Sequence, residues 1–170
     1  MIQDLNIFKI NNFQNHKSIL LDLISKIPQT HIKQKGINVE HTDWDITPNM
    51  KREYVEYFLD NIFTDYAKEI CKKFHCNNLS LTNIWFQVYG KNQYHSHHRH
   101  ENAHFANVVF LKLPNKNLTT KIYNLKNELI DIEVEEGSIL TFPAYLKHES
   151  SVNESVEKKI VLSYNINIED

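Results

Sequence analysis

The sequence predicts an α+β fold that is mainly β: a β-sandwich or jelly roll buttressed by two N-terminal helices. Three observations predict it. Apolar residues recur at three- and four-residue steps in two segments before residue 78. From Leu79 onward the period falls to two, the repeat of a half-buried strand. Asn-, Gly- and Pro-bearing turn signals then cut that second half into seven or eight short runs. At 170 residues the chain is expected to form one domain, 1–170, with a helical support region (1–78) and a jelly-roll core (79–170).

Composition narrows the function classes. A formal net charge of −2 argues against a polyanion partner, so nucleic acid is not expected. No run of eighteen apolar residues appears, so no membrane span is expected. The start, MIQDLNIFKINNF, lacks the basic and long apolar segments of a secretory signal. Two cysteines make no disulfide framework, and a cytoplasmic location is the expectation. Cys71, His75 and Cys76 are spaced for helix packing rather than for a metal. No pattern specifies an oligomeric state.

In chain order, residues 5–13 carry Leu5, Ile7, Phe8, Ile10 and Phe13 and read as an edge strand and a turn. His16 to Ile27 reads as a helix, with Ile19, Leu20, Leu23, Ile24 and Ile27 on one face and Pro28 as its stop. Residues 29–46 are polar and read as a surface connection holding His31, His41 and a packed Trp44. Thr47-Pro48 offers a cap residue followed by Pro at the first position, starting a helix to about Phe74. Its stripe, Val55, Leu59, Ile62, Phe63, Tyr66, Ile70 and Phe74, should pack on the outer face of a sheet. Strands are expected at 79–89, 104–113, 119–125, 129–134, 138–142 and 158–168, with 95–100 itself extended.

Five of the ten histidines lie in the stretch Trp85 to Pro114, at His95, His97, His98, His100 and His104. Residues two apart on a strand face the same way, so His95/His97 and His98/His100 could each offer two imidazoles to one ion. A third donor must come from elsewhere. His148 is the candidate, just past the buried run Ser138 to Phe142 and a Pro-led bend.

Together these stretches resemble a known family. W-F-Q-x-Y at Trp85–Tyr89, H-x-x-H-x-H at His95–His100 and F-x-N-V-x-x-L-x-L-P at Phe105–Pro114 are similar to the 2-oxoglutarate/Fe(II) oxygenases of tailed phages and marine bacteria. So are E-G-x-I-L-x-F-P…H at Glu136–His148 and the basic pair leading into S-Y-N at Lys158–Asn165. The resemblance covers about half of the chain and implies a double-stranded β-helix fold. It implies a mononuclear non-haem Fe(II) dioxygenase that decarboxylates 2-oxoglutarate to succinate while oxidising a small-molecule or peptidyl substrate. The implied metal ligands are His98, His100 and His148, with no catalytic residue beyond them. A His then stands where the family more often has Asp or Glu, and imidazole also suits Zn, Cu and Ni.

Such an enzyme needs a cation for the distal carboxylate of 2-oxoglutarate. Alternation puts Lys159, Val161, Ser163 and Asn165 on one face, so Lys159 is the first choice, with Lys158 the alternative if the register slips. Tyr89, Asn107 and Ser163 are the further co-substrate candidates. Two other readings stand beside this one. One is a cupin-like three-His metalloenzyme that needs no keto-acid. The other is a non-catalytic metal-binding jelly-roll module.

Overall fold

Two antiparallel sheets face each other, and helices cover the outer face of the larger one. The computed structural model describes residues 5–28, 30–45 and 50–169. The larger sheet has six strands in the order β1 (Asn6–Lys9), β9 (Ser138–Pro143), β7 (Phe105–Lys112), β11 (Lys159–Glu169), β5 (Asn78–Tyr89) and β4 (His41–Thr42). The smaller has five: β2 (Ile32–Gln34), β3 (Ile37–Val39), β6 (Tyr94–His98), β10 (His148–Ser150) and β8 (Thr120–Ile122). This is the expected jelly roll, mainly β with helical support.

Alternation sorts the larger sheet into two cores. Phe86, Val109, Leu111, Ile139, Leu162 and Tyr164 point outward to the helices. Tyr89, Val108, Phe110, Leu140, Phe142 and Val161 point inward, against Ile37, Val39 and Ile122 of the smaller sheet. Both faces of β7, β9 and β11 are therefore buried, and each fully buried Leu, Val or Phe contributes about 1.5–3 kcal/mol.

Helix α1 spans Phe13–Ser25 and buries Leu20 and Ile24, with Ile27 just beyond it. It starts three residues earlier than the sequence suggests, directly after Asn12 in the left-handed conformation. The second helical segment joins α2 (Glu53–Phe58), a π-turn (Leu59–Phe63) and α3 (Thr64–Phe74). Its buried residues are Tyr54, Phe58, Ile62, Tyr66 and Ile70, at a strict step of four. In an ordinary α-helix that step drifts by about 40° each time. The wider π-turn takes up the drift and keeps the stripe on the sheet. Of the expected stripe, Val55, Leu59, Phe63 and Phe74 are only partly buried. The expected start at Thr47-Pro48 lies outside the described residues. His75, in the left-handed conformation, closes α3, and Cys76 N–H donates to the Cys71 carbonyl at 3.1 Å. That triad is a helix end, with both cysteines packed on the core.

Three differences from the sequence reading have local causes. The run 129–134 packs Ile130, Ile132 and Val134 on the inner core but, among the described residues, forms no strand: it makes a bridge from Leu129 to Tyr123, and the Ile130 N–H donates to the Ile122 carbonyl at 2.9 Å. Residues 32–42 form three short strands rather than a surface connection, and His41 is buried with its Nε2 3.2 Å from the Pro28 carbonyl. Asp43 is buried as well. It accepts from Arg52 at 3.2 Å, from the Phe86 N–H at 3.0 Å and from the Tyr54 hydroxyl, tying β4 and β5 to the start of α2. Gly137 turns the chain into β9 at φ +84°, and a Cβ there would meet the Phe13 ring at 2.7 Å. Among the described residues no helix is long and apolar enough to cross a membrane.

Candidate metal centre

The ends of β6, β10, β5 and β11 meet between the two sheets, and their side chains line one cavity. Its empty space is about 440 Å³, counted out to the open mouth. His98 ends β6, and His148 opens β10 directly opposite it in the antiparallel ladder. Their ring centroids are 4.1 Å apart. His100 follows two residues after His98, fixed by its own N–H donating to the Ala144 carbonyl at 3.0 Å. Its Nε2 lies 3.2 Å from Nε2 of His148. The donor atoms of His98, His100 and His148 all lie within 4.8 Å of one another.

The hydrogen bonds behind these rings fix their orientation. Nδ1–H of His148 donates to the Leu146 carbonyl, and Nδ1–H of His98 to the Ser96 carbonyl, both at 2.9 Å. Those bonds leave the Nε2 lone pairs free. Nδ1 of His100 faces the Asn165 amide at 3.0 Å. Burial holds all three pKa values below the usual 6.5, that of His100 at about 4 with the neighbouring His98 adding to the effect. At neutral pH they are uncharged donors.

A β-bulge decides which other histidines join. His148 pairs with His98 but Ser150 pairs with His95, so β6 carries one residue more than β10. The extra residue breaks the expected His95/His97 pair. His95 turns into the cavity and stacks on His98 at 3.8 Å, while His97 turns outward to Glu149 at 3.1 Å. Burial, with His98 and His100 adjacent, pushes the pKa of His95 down to about 3. His104 is exposed, and its Nδ1 accepts the Ile168 N–H at 3.0 Å.

On β11, Lys159, Val161, Ser163 and Asn165 all line the cavity. Lys159 is 1% exposed. Its Nζ donates to Ser150 Oγ at 2.8 Å and sits 5.4 Å from the centre of the Tyr89 ring. Burial lowers its pKa to about 7. Ser150 carries no label in the sequence reading; its position two residues after His148 on a strand is the signal that finds it. Ser163 donates to Gln87 at 3.3 Å.

Two candidates turn their polar groups away from the cavity, although Asn107 borders it. Lys158 is half exposed and paired with Glu40 at the surface, because the strand register puts its neighbour Lys159 inside. Asn107 points the other way, toward the helices. Its Oδ1 accepts from Tyr66 at 2.6 Å and Thr141 at 2.7 Å, and its Nδ2 donates to the Tyr164 carbonyl at 3.2 Å. Its amide is committed to joining α3 to the sheet.

Aromatic rings wall one side. Trp85 stacks on His100 at 5.8 Å, and Trp44, 45% exposed, stacks on Trp85 at 5.8 Å. Among the described residues, two buried polar atoms on the cavity lining, Trp85 Nε1 and Asn165 Oδ1, have no hydrogen-bond partner.

Comparison with solved structures identifies the architecture. An oxidoreductase of the 2OG-Fe(II) oxygenase family from Burkholderia pseudomallei superposes with a TM-score of 0.78 at 8% identity, over 96% of this chain and 85% of that one. The viral collagen prolyl hydroxylase from Paramecium bursaria Chlorella virus-1, in its 2OG complex, gives 0.60 at 17% identity, over 94% of both chains. The epimerase SnoN, in complex with Fe3+, alpha ketoglutarate and nogalamycin RO, gives 0.70 at 8% identity, over 98% and 80%. The fold is that of the 2OG-Fe(II) oxygenases. No family model and no curated protein matches the sequence.

The three imidazoles are grouped so that they could hold a metal ion. Two nitrogens bound cis to one ion, each at about 2.1 Å, stand about 3 Å apart. The 3.2 Å between His100 and His148 is close to that separation.

Proposed function

We propose that this chain is a 2-oxoglutarate- and Fe(II)-dependent dioxygenase. One observation carries the reading: a single cavity holds both a three-imidazole cluster and a buried lysine amine whose hydrogen-bond partner among the described residues is a hydroxyl. A buried cation is costly without a counter-charge, and a dicarboxylate supplies one. A keto-acid-free metalloenzyme has no use for Lys159, which is why the cupin-like reading ranks second.

His98, His100 and His148 would hold the ion on one face and leave the remaining positions open. When bound, Fe(II) and 2-oxoglutarate supply oxidation of a C–H bond coupled to decarboxylation to succinate. Three neutral imidazoles leave the ion's two positive charges to the co-substrate dianion. Lys159 would bind the distal carboxylate, with the Ser150 hydroxyl beside it and Ser163 farther along the same strand face. The unpartnered Trp85 N–H is a donor for an oxygen of a bound ligand. Phe142 and Val161 exclude water from the inner end.

We read residues 1–170 as one oxygenase-like domain acting in the cytoplasm on a small-molecule or peptidyl substrate. Trp44 offers that substrate an exposed ring beside the cavity wall. The deciding experiment is succinate release from 2-oxoglutarate, followed by NMR with and without Fe(II). Release that requires the metal and vanishes in Lys159→Met supports the proposal. Metal binding without any 2-oxoglutarate binding overturns it in favour of the second reading.

A further inference from the structure

The surroundings of Lys159 suit an amine better than an ammonium. Its Nζ is buried, and its hydrogen-bond partner among the described residues is the Ser150 hydroxyl at 2.8 Å. An ammonium brings three N–H donors, an amine two and a lone pair. A single hydroxyl leaves the ammonium short of acceptors, but it can donate to the lone pair of the amine. Burial lowers the pKa to about 7, with no carboxylate among the described residues close enough to pair with Nζ. The titratable groups that share the cavity bring no offsetting charge to Nζ. Burial keeps the Tyr89 phenol protonated and holds His95, His98, His100 and His148 below 6.5. Glu149 turns its carboxylate outward, to the Tyr123 hydroxyl at 2.9 Å and to His97 at 3.1 Å.

Neutral hydrogen-bonding groups gather on that side of the cavity. Ser150 lies opposite Thr120 in the β8–β10 ladder, and both are buried on the cavity lining. The Tyr89 hydroxyl is beside Ser150 and Gln87. Hydroxyl and amide groups around a nucleophilic nitrogen are placed to receive a small planar anion built on it. The apolar side chains of Val108, Phe142 and Val161 on the same lining admit a small uncharged reagent.

We infer that Lys159 is a carbon dioxide site, its amine adding to CO2 and holding the product as a carbamate inside the cavity. The N–C bond forms as one C=O π pair moves to oxygen, and one Nζ proton leaves to water. No oxidant or reductant is required, because no atom changes oxidation state. The adduct needs neither an ion nor a keto-acid. Its consequence rests on the proposed function above. A carbamate at Nζ puts an anion where the distal carboxylate would meet a cation, so CO2 and 2-oxoglutarate exclude each other. CO2 is also the one-carbon product of 2-oxoglutarate decarboxylation, so the reaction would restrain itself through the same lysine.

NMR of the full chain in 13C-bicarbonate, without added metal, tests this. With lysine Nζ labelled by 15N, the wild type should give one carbamate resonance split by that nitrogen. The resonance should grow as the pH is raised through 7 at fixed dissolved CO2, because the amine is the reacting form. It should be absent from Lys159→Met and from Lys159→Arg, which keeps a charge but forms no carbamate, and unchanged in the surface variant Lys158→Ala. Circular dichroism checks that each variant is folded. In the wild type, trapping with a trialkyloxonium salt and mapping peptides by mass should place the adduct on Lys159 whatever the variants do. No Lys159-dependent resonance, or trapped label on other lysines alone, overturns the inference. Added 2-oxoglutarate should abolish the resonance, and a carbamate that persists at saturation overturns the mutual exclusion. If calorimetry finds no 2-oxoglutarate binding in CO2-free buffer, the proposed function fails, and the resonance still decides the CO2 site by itself.

Discussion

His98 and His148 sit opposite each other across the β6–β10 ladder, their ring centroids 4.1 Å apart and each Nδ1 tied to a carbonyl two residues back along its own chain. Backbone pairing thus fixes two imidazoles before any ion arrives. Replacing either by alanine should remove one of the three donors that cluster together. Anaerobic calorimetry with Fe(II) should show binding in the wild type and none resolvable in His98→Ala or His148→Ala. His97→Ala, which loses contacts to Glu149 and the Tyr123 ring outside the cluster, should bind as the wild type does.

Lys159 links co-substrate binding to pH. Its pKa falls from 10.5 to about 7 by burial, while a bound carboxylate favours the charged form. Binding above pH 7 therefore takes up a proton, and the Kd for 2-oxoglutarate should rise by up to about tenfold per pH unit from 7 to 9. The groups facing Lys159 add little in this range. Ser150 is neutral, and burial holds the Tyr89 phenol protonated. Titration calorimetry in buffers of different ionisation enthalpy measures the proton. Lys159→Met should lose binding, and Lys158→Ala, at the surface, should change it by less than about 0.5 kcal/mol.

The buried histidines make the fold acid-sensitive. Folded-state values below 6.5 mean that the unfolded chain binds protons first as pH falls. Stability is full above pH 6.5 and drops as the pH falls toward 4, each ring contributing at most about 1.4 kcal/mol per unit. Urea midpoints measured from pH 7 to 4.5 should decline, and His95→Phe should flatten the slope. A midpoint constant over that range would show that the rings are not buried as described.

Asn107 separates stability from co-substrate binding. Asn107→Leu would take the shared acceptor from the Tyr66 and Thr141 hydroxyls, which at 3.0 Å can bond each other with one proton left over, and the donor from the Tyr164 carbonyl, at roughly 1–3 kcal/mol for each buried group left unpaired. Denaturant unfolding should report a loss of roughly 2–4 kcal/mol. The Kd for 2-oxoglutarate should not move, because the amide faces α3.

Much of the architecture was legible because long repeats average out local noise. The twelve residues of β5 and the eleven of β11 announce themselves by period. β10, three residues long, and β2 to β4 are too short to show one. The face of Asn107 was illegible for a different reason: β7 is buried on both sides, so Phe105 to Leu111 reads as one apolar run. β11 keeps its polar residues on one face, and there alternation separates Lys159 from Lys158. The sequence left His95/His97 open beside His98/His100, because a bulge leaves no mark in composition. Asp43 gave no signal, since its partners Arg52, Tyr54 and Phe86 come together only in the fold.

The surplus residue in β6 has an evolutionary corollary. Strands tolerate substitution but not a change of phase, and shortening the Ser96–His97 stretch by one would send His95 to the solvent side while His98 stayed where it is. Lineages carrying this arrangement should therefore vary freely in what occupies those two positions, yet keep their number.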